Sequence, residues 1–214
     1  MNSYYTLTYN PFGVNTYVIC NEQNECLIVD AACYDKRELE HLYNFIEGKK
    51  LKIVAAVNTH GHFDHLFGVD EVCSKYNLTP YIHQDDMYVV KAAAELAIPF
   101  GLVVRSLPPK WNYFTEDGMV SIGGFNFRVM QVPGHSKGSV VLYFEKYKIL
   151  VTGDVLFAGS IGRTDLPGGS YIDLISGIKS KILNLPLDTV VLPGHGPSTT
   201  IGEEISSNSF LNYL

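Results

Sequence analysis

Short apolar runs and stretches whose apolar positions recur every three or four residues follow one another along this chain, and the changes between them mark its elements. Short runs rich in β-branched and aromatic residues stand at 4–9, 15–20 and 26–30. Pro11-Phe12-Gly13 and the polar turn Asn21-Glu22-Gln23-Asn24-Glu25 separate them, which predicts an antiparallel meander. From 35 to 47 the apolar spacing becomes three and four residues, through Leu39, Leu42, Tyr43 and Ile46. Asp35 is placed to cap this amphipathic helix and Gly48 to stop it. A buried strand at 51–58 follows, then a helical stripe through Leu66, Val69, Val72 and Cys73 to Tyr76, then a short strand at 81–83.

The pattern changes at 84–117. A helix is expected at 87–98, followed by an irregular, apolar and aromatic stretch from Pro99-Phe100-Gly101 to Pro108-Pro109-Lys110-Trp111. A stretch this long without regular structure is read as a helix-loop insertion, a candidate cover over a site or a surface filler. Strands resume at 119–122, 125–132, 140–144 and 149–152, with Gly123-Gly124 as a hairpin turn. A helix at 171–183, a strand at 189–192 and a helix at 199–207 complete the chain. Two strand series, each followed by helix, predict an α/β domain over 1–214 in which two sheets lie face to face with helices outside.

Composition adds limits. With 214 residues and 46% hydrophobic content the chain can bury one sizeable core, and no composition shift divides it. The start, Met1-Asn2-Ser3-Tyr4-Tyr5-Thr6, has no basic segment leading into an apolar one, and no run approaches a spanning helix, so a cytoplasmic protein away from membranes is expected. A net charge of −6 without a basic run disfavours a nucleic-acid surface. Cys20, Cys26, Cys33 and Cys73 form no Cys-x-x-Cys pair and are read as reduced packing residues; a Cys20–Cys26 cross-strand pair is geometrically conceivable. The oligomeric state is not legible.

The candidate chemistry lies where strands run out. Thr59-His60-Gly61-His62-Phe63-Asp64-His65 holds three imidazoles and a carboxylate directly after an apolar run, with Gly61 read as the residue that lets the loop turn tightly. Val132-Pro133-Gly134-His135, Val151-Thr152-Gly153-Asp154 and Leu192-Pro193-Gly194-His195 each repeat the order of apolar run, glycine and ligand type. His41 and His83 lack that context and are read as ordinary histidines. The seven candidates His60, His62, Asp64, His65, His135, Asp154 and His195 are too many for one tetrahedral metal and suit two. Gly138-Ser139 is not a Gly-x-Ser-x-Gly elbow, which disfavours a serine triad.

The set His60-x-His62-x-Asp64-His65, His135, Asp154 and His195 resembles the metallo-β-lactamase superfamily along nearly the whole chain. Gly162-Arg163-Thr164-Asp165 and Pro193-Gly194-His195-Gly196-Pro197-Ser198-Thr199 further resemble small bacterial glyoxalase II-like hydrolases. The resemblance implies an αββα sandwich of two mixed sheets with the site along one edge. It implies two divalent metal ions, zinc foremost and iron or manganese as alternatives: His60, His62 and His135 on one, Asp64, His65 and His195 on the other, Asp154 between them. It also implies hydrolysis of a small thioester or ester, with Asp64 orienting the attacking water and passing its proton to the leaving group. Arg163 stands where glyoxalase II enzymes carry a glutathione-binding basic residue, and an ion pair with Asp165 is the competing role. The chain departs from full-length glyoxalase II after His195, where Gly196-Pro197 follows and the chain ends at Leu214, so the likeness does not extend to specific glutathione recognition.

Three other readings remain open. Gly162-Arg163-Thr164-Asp165 also resembles persulfide dioxygenases, which use one iron on two histidines and an aspartate, although the Asp-Tyr usual there after the last histidine is missing. A lactonase would use the same two-metal centre. A non-catalytic metal-binding module is disfavoured because structural zinc sites are cysteine-rich and closed.

Overall fold

A computed structural model describes residues 3–212. The expected meander is present as β1 (Tyr4–Tyr9), β2 (Val14–Cys20) and β3 (Glu25–Val29), antiparallel in that order. Helix α1 (Lys36–Gly48) crosses to β4 (Lys52–Val57), which pairs parallel with β3. Asp35 caps α1 as expected, its Oδ1 accepting the backbone N–H groups of Arg37 and Glu38 at 2.8 and 3.0 Å. Helix α2 (Val69–Tyr76), strand β5 (Tyr81–His83) and helix α3 (Met87–Ala97) follow. The stretch after α3 is irregular as expected, but it ends in a short strand, β6 (Asn112–Phe114), paired parallel with β5. Three residues are too few to show a period, and 84–117 is thereby tied into the first sheet.

The second series forms β7 (Gly118–Ile122), β8 (Phe125–Gln131), β9 (Val140–Phe144) and β10 (Ile149–Gly153), all antiparallel neighbours. Gly123 and Gly124 make the β7–β8 turn with φ of 53° and 77°, the left-handed pair a two-residue hairpin requires. A small hairpin, β11 (Leu156–Phe157) with β12 (Ser160–Ile161), follows β10. Helix α4 (Tyr171–Gly177) runs into a π-helical turn at Ile178–Ile182, so the helix expected at 171–183 changes hydrogen-bond pattern midway. Strand β13 (Val190–Pro193) pairs parallel with β10, and β14 (Thr199–Thr200) lies on its far side before α5 (Ile201–Ser207) and α6 (Ser209–Asn212). Thr199 and Thr200, expected to open the last helix, belong to the sheet instead.

Among the described residues there are thus two six-stranded sheets, ordered β1-β2-β3-β4-β5-β6 and β14-β13-β10-β9-β8-β7. Strand alternation decides what each face meets. Tyr17, Ile19, Leu27 and Val29 point inward onto Phe127, Leu142, Phe144 and Val151 of the opposite sheet. Val18, Cys20, Cys26 and Ile28 face the other way, onto Leu42 and Ile46 of α1 and Val69 and Val72 of α2. On the second sheet Val141, Leu150 and Val191 meet Leu174, Ile178 and Ile201. The result is the helix-sheet-sheet-helix sandwich expected, each fully buried large side chain contributing roughly 1.5–3 kcal/mol. All four cysteines are buried and free, with Cys20 opposite Cys26 in the β2–β3 ladder. No helix among the described residues is long and apolar enough to cross a membrane.

Candidate metal centre

Strands β3, β4, β8, β10 and β13 end along one edge of the sandwich, where loops held by rigid sheet carry the candidate ligands. After β4 the histidine loop is pinned by Asn58, whose backbone N–H donates to Tyr81 O at 2.7 Å and whose side chain donates to His65 O at 3.0 Å. Gly61 serves a different purpose from the one its sequence context suggested. It has no left-handed φ, but a Cβ there would come to 3.0 Å from both Asp86 O and Val90 Cγ2. Close approach of α3 to the loop is what requires glycine. After β13, Gly194 N donates to Gly153 O at 2.8 Å and Asn15 N donates to Gly194 O at 2.8 Å. A Cβ on Gly194 would collide with the Asp154 carboxylate.

All seven candidate ligands converge. His60, His62 and His135 present one donor atom each within 4.8 Å of one another, and so do Asp64, His65 and His195. Asp154 sits between the two groups: its Oδ1 is 3.4 Å from His65 Nε2, and its Oδ2 is 3.6 Å from His135 Nε2 and 3.4 Å from His195 Nε2. Asp30, His60 and His65 also cluster, but the Asp30 carboxylate is already engaged with Thr59 and with the outer nitrogen of His65. His41 and His83 lie elsewhere, bonded to Tyr9 Oη at 2.9 Å and to the Asp85 N–H at 3.2 Å.

Oxygen acceptors on the outer ring nitrogens set the tautomers. His135 Nδ1 donates to Arg163 O at 2.9 Å, His195 Nδ1 to Phe12 O at 3.0 Å and His65 Nδ1 to Asp30 Oδ2 at 2.9 Å, because carbonyl and carboxylate oxygens can only accept. Thr59 Oγ1 gives its proton to Asp30 Oδ2 at 2.7 Å and so accepts from His60 Nδ1 at 3.0 Å. Each of these four rings therefore turns Nε2 inward, the orientation of metal-ligating histidines with an outer-shell acceptor. His62 is the exception and turns Nδ1 inward, 2.8 Å from His135 Nε2.

The donor set fits metal. His60 Nε2 and Asp154 Oδ1 are buried without any hydrogen-bond partner, a costly arrangement that a cation would relieve. Two ligands of the first group are held neutral: burial, with the neighbouring His65, keeps His60 well below its usual pKa, and burial with His135 lowers His62 to about 4. In the second group burial opposes protonation of His65, but Asp154, Asp30 and Asp64 overcome it and hold its pKa well above the usual value. His195, also opposed by burial, is raised to about 9 by hydrogen bonds to Asp154 and Asp64.

The metallo-beta-lactamase superfamily model matches residues 9–195 of this chain. The chain belongs to that superfamily. A probable metallo-hydrolase of Bacillus subtilis, YqgX, is 36% identical over 203 residues, covering 94% of this chain and 94% of that protein. The hydroxyacylglutathione hydrolase GloC of Haemophilus influenzae is 36% identical over 205 residues with the same two coverages. Among solved structures, the B3 metallo-beta-lactamase BLEG-1 superposes with a TM-score of 0.87 at 35% identity, covering 98% of this chain and 99% of its own. TTHA1623 in a di-iron-bound form also gives 0.87, at 34% identity, covering 97% and 100%.

Two carboxylates went unnoticed in the sequence. Asp30 accepts Thr59 N–H at 2.8 Å besides Thr59 Oγ1 and His65, with its own backbone at φ 52°. Its signal was available, since it ends an apolar strand as Asp154 does. Asp86, fully buried between Asp85 and α3, accepts Gly61 N–H at 2.7 Å, Ser136 Oγ–H at 2.7 Å and Gly138 N–H at 2.6 Å. Nothing local distinguishes it. Arg163 forms the ion pair weighed against substrate contact, Nε and Nη2 donating to Asp165 at 2.8 and 2.7 Å. Arg163 also lines a pocket of about 340 Å³, together with His62, Asp64, His135, Asp154 and His195.

Proposed function

We propose that this metallo-beta-lactamase superfamily member is a binuclear metal-dependent hydrolase of small thioesters or esters. One observation carries the reading: two three-donor groups are joined by Asp154, and His62, Asp64, His135, Asp154 and His195 of that set line an open pocket. Two divalent cations held there would supply Lewis acidity, drawing the pKa of a bound water from about 15.7 toward 7. His60, His62 and His135 would hold one, Asp64, His65 and His195 the other, and Asp154 both. The kinship to GloC supports a thioester as substrate.

The chain's own residues then do four things. The outer-nitrogen acceptors keep the imidazoles in one tautomer and orientation. Asn10 Nδ2 donates to Asp64 O at 2.9 Å, fixing the backbone from which the Asp64 carboxylate reaches the pocket. Although burial opposes it, the positive charge of His65 and the hydrogen bond from His195 keep Asp64 ionised, able to accept a proton from water and hand it to the leaving group. Arg163 would meet a substrate carboxylate at the rim by exchanging Asp165 for it, a small cost for an exposed pair.

A persulfide dioxygenase needs only one iron, and the completeness of the second donor group favours two ions. The relative solved in a di-iron form keeps iron beside zinc as the cation. Elemental analysis of the protein as purified, with assays of S-D-lactoylglutathione hydrolysis and of oxygen uptake on glutathione persulfide, tests the reading. Close to two ions per chain with thioester turnover is expected. A single iron with oxygen uptake overturns it.

A further inference from the structure

The pocket above the metal floor has walls of a chemistry that the thioesterase reading alone does not require. Phe12, Phe63 and Phe100 come from three separate segments and form a closed triad, with ring centroids 5.5, 5.3 and 5.5 Å apart. Leu96 of α3 continues the same wall. Outside the candidate ligands, the only charged side chain among the described residues lining the pocket is Arg163, and its fork is occupied by Asp165.

The apolar wall is anchored to the centre itself. Phe12 carries a ring of the triad, and its carbonyl accepts the His195 Nδ1 proton at 3.0 Å. Arg163 stands at the other group, its carbonyl accepting from His135. The centre is thus flanked by an aromatic wall on the Asp64–His65–His195 side and by the single cation on the His60–His62–His135 side. Phe100 is 57% exposed and Phe12 36%, an uncommon placement for phenylalanine that an apolar ligand would cover.

Resting on the hydrolase reading, we propose that the substrate carries an apolar acyl chain beside its scissile carbonyl, seated against the Phe12–Phe63–Phe100 triad. Hydrolysis joins the water oxygen to the carbonyl carbon and breaks the carbon–sulfur bond. The bonding pair leaves with sulfur, which takes up a proton, and the fatty carboxylate is released.

The experiment is an acyl-length series, acetyl to octanoyl, on one small neutral thiol with the metal-loaded protein. It is run beside calorimetric binding of acetate and hexanoate. Each buried methylene is worth about fourfold. With the wall partly open, kcat/KM for hexanoyl is expected at least about tenfold above acetyl, and hexanoate is expected to bind correspondingly tighter than acetate. Phe100→Ala and Leu96→Ala, both at partly exposed positions, should each cut the hexanoyl-to-acetyl ratio by about threefold or more. Hydrolysis with a flat series, or a preference that neither variant alters, overturns the proposal and leaves the hydrolase standing. Selective hexanoate binding lost in both variants, without turnover of any thioester, upholds the apolar site and overturns the hydrolase instead.

Discussion

Replacing Asp86 tests whether the metal floor depends on a residue that touches no metal. Its carboxylate joins Gly61, between His60 and His62, to Ser136 and Gly138, just beyond His135. In Asp86→Ala three hydrogen bonds to an ionised acceptor vanish, each worth roughly 1.5–3 kcal/mol, and two buried N–H groups lose their partner. Because the bonds share one site their losses are not additive, and a total of about 3–5 kcal/mol is expected. Asp86→Asn should cost less, about 2–3 kcal/mol, since its oxygen can still accept from Gly61 and Ser136 while its amide opposes the Gly138 N–H. At about 2–4 °C per kcal/mol for a chain of this size, the alanine variant should melt roughly 6–20 °C lower. Urea unfolding of the metal-free proteins measures the first quantity, and metal titration well below the melting temperature measures the second. The ion held by His60, His62 and His135 should be bound more weakly, with the other less affected. Asp85→Ala, at an exposed neighbour whose side chain meets only Gln131 and the edge of His83, is the control and should stay within about 0.5 kcal/mol. An Asp86→Ala protein as stable as that control, with both ions held normally, would refute the reasoning.

Removing a ligand should remove an ion: His62→Ala and His135→Ala are each expected to lower metal content by about one per chain along with activity, read by elemental analysis. Unchanged stoichiometry in both would count against the assignment. Arg163→Ala should raise KM for carboxylate-bearing thioesters more than for neutral ones, and equal effects would leave the guanidinium its bond to Asp165 alone. Metal uptake should be coupled to protons more strongly in the half that holds His65 and His195. With His62 at about 4 and His60 well below its usual range, these two ligands of the first group are already deprotonated at pH 7.5, whereas His195 at about 9 and His65 well above its usual range still carry protons. Affinity for the second ion should therefore rise with pH from 7 toward 9, and that for the first should change less over the same range. Calorimetry in buffers of different ionisation enthalpy reads the protons released; two equal, proton-free steps would contradict the asymmetry.

What the sequence determined by itself is what covalent spacing encodes. The short runs rich in β-branched and aromatic residues that became β2, β3, β8, β9 and β10 needed only local composition to be recognised. So did the three-and-four spacing of α1, and the order of apolar run, glycine and ligand before His135, Asp154 and His195. The strands β6, β11, β12 and β14, each two or three residues long, emerged only once a neighbouring strand supplied their hydrogen bonds, although β5, equally short, was legible. The tertiary structure alone decided which oxygen orients each imidazole, because Phe12, Asp30 and Arg163 reach their histidines across 183, 35 and 28 positions of chain. It decided that Asp86 is a clamp and that Arg163 is paired. It also decided that phenylalanines from separate segments meet above the metal floor. Those are contacts between remote segments, set by how two sheets and their helices pack, and no local pattern records them.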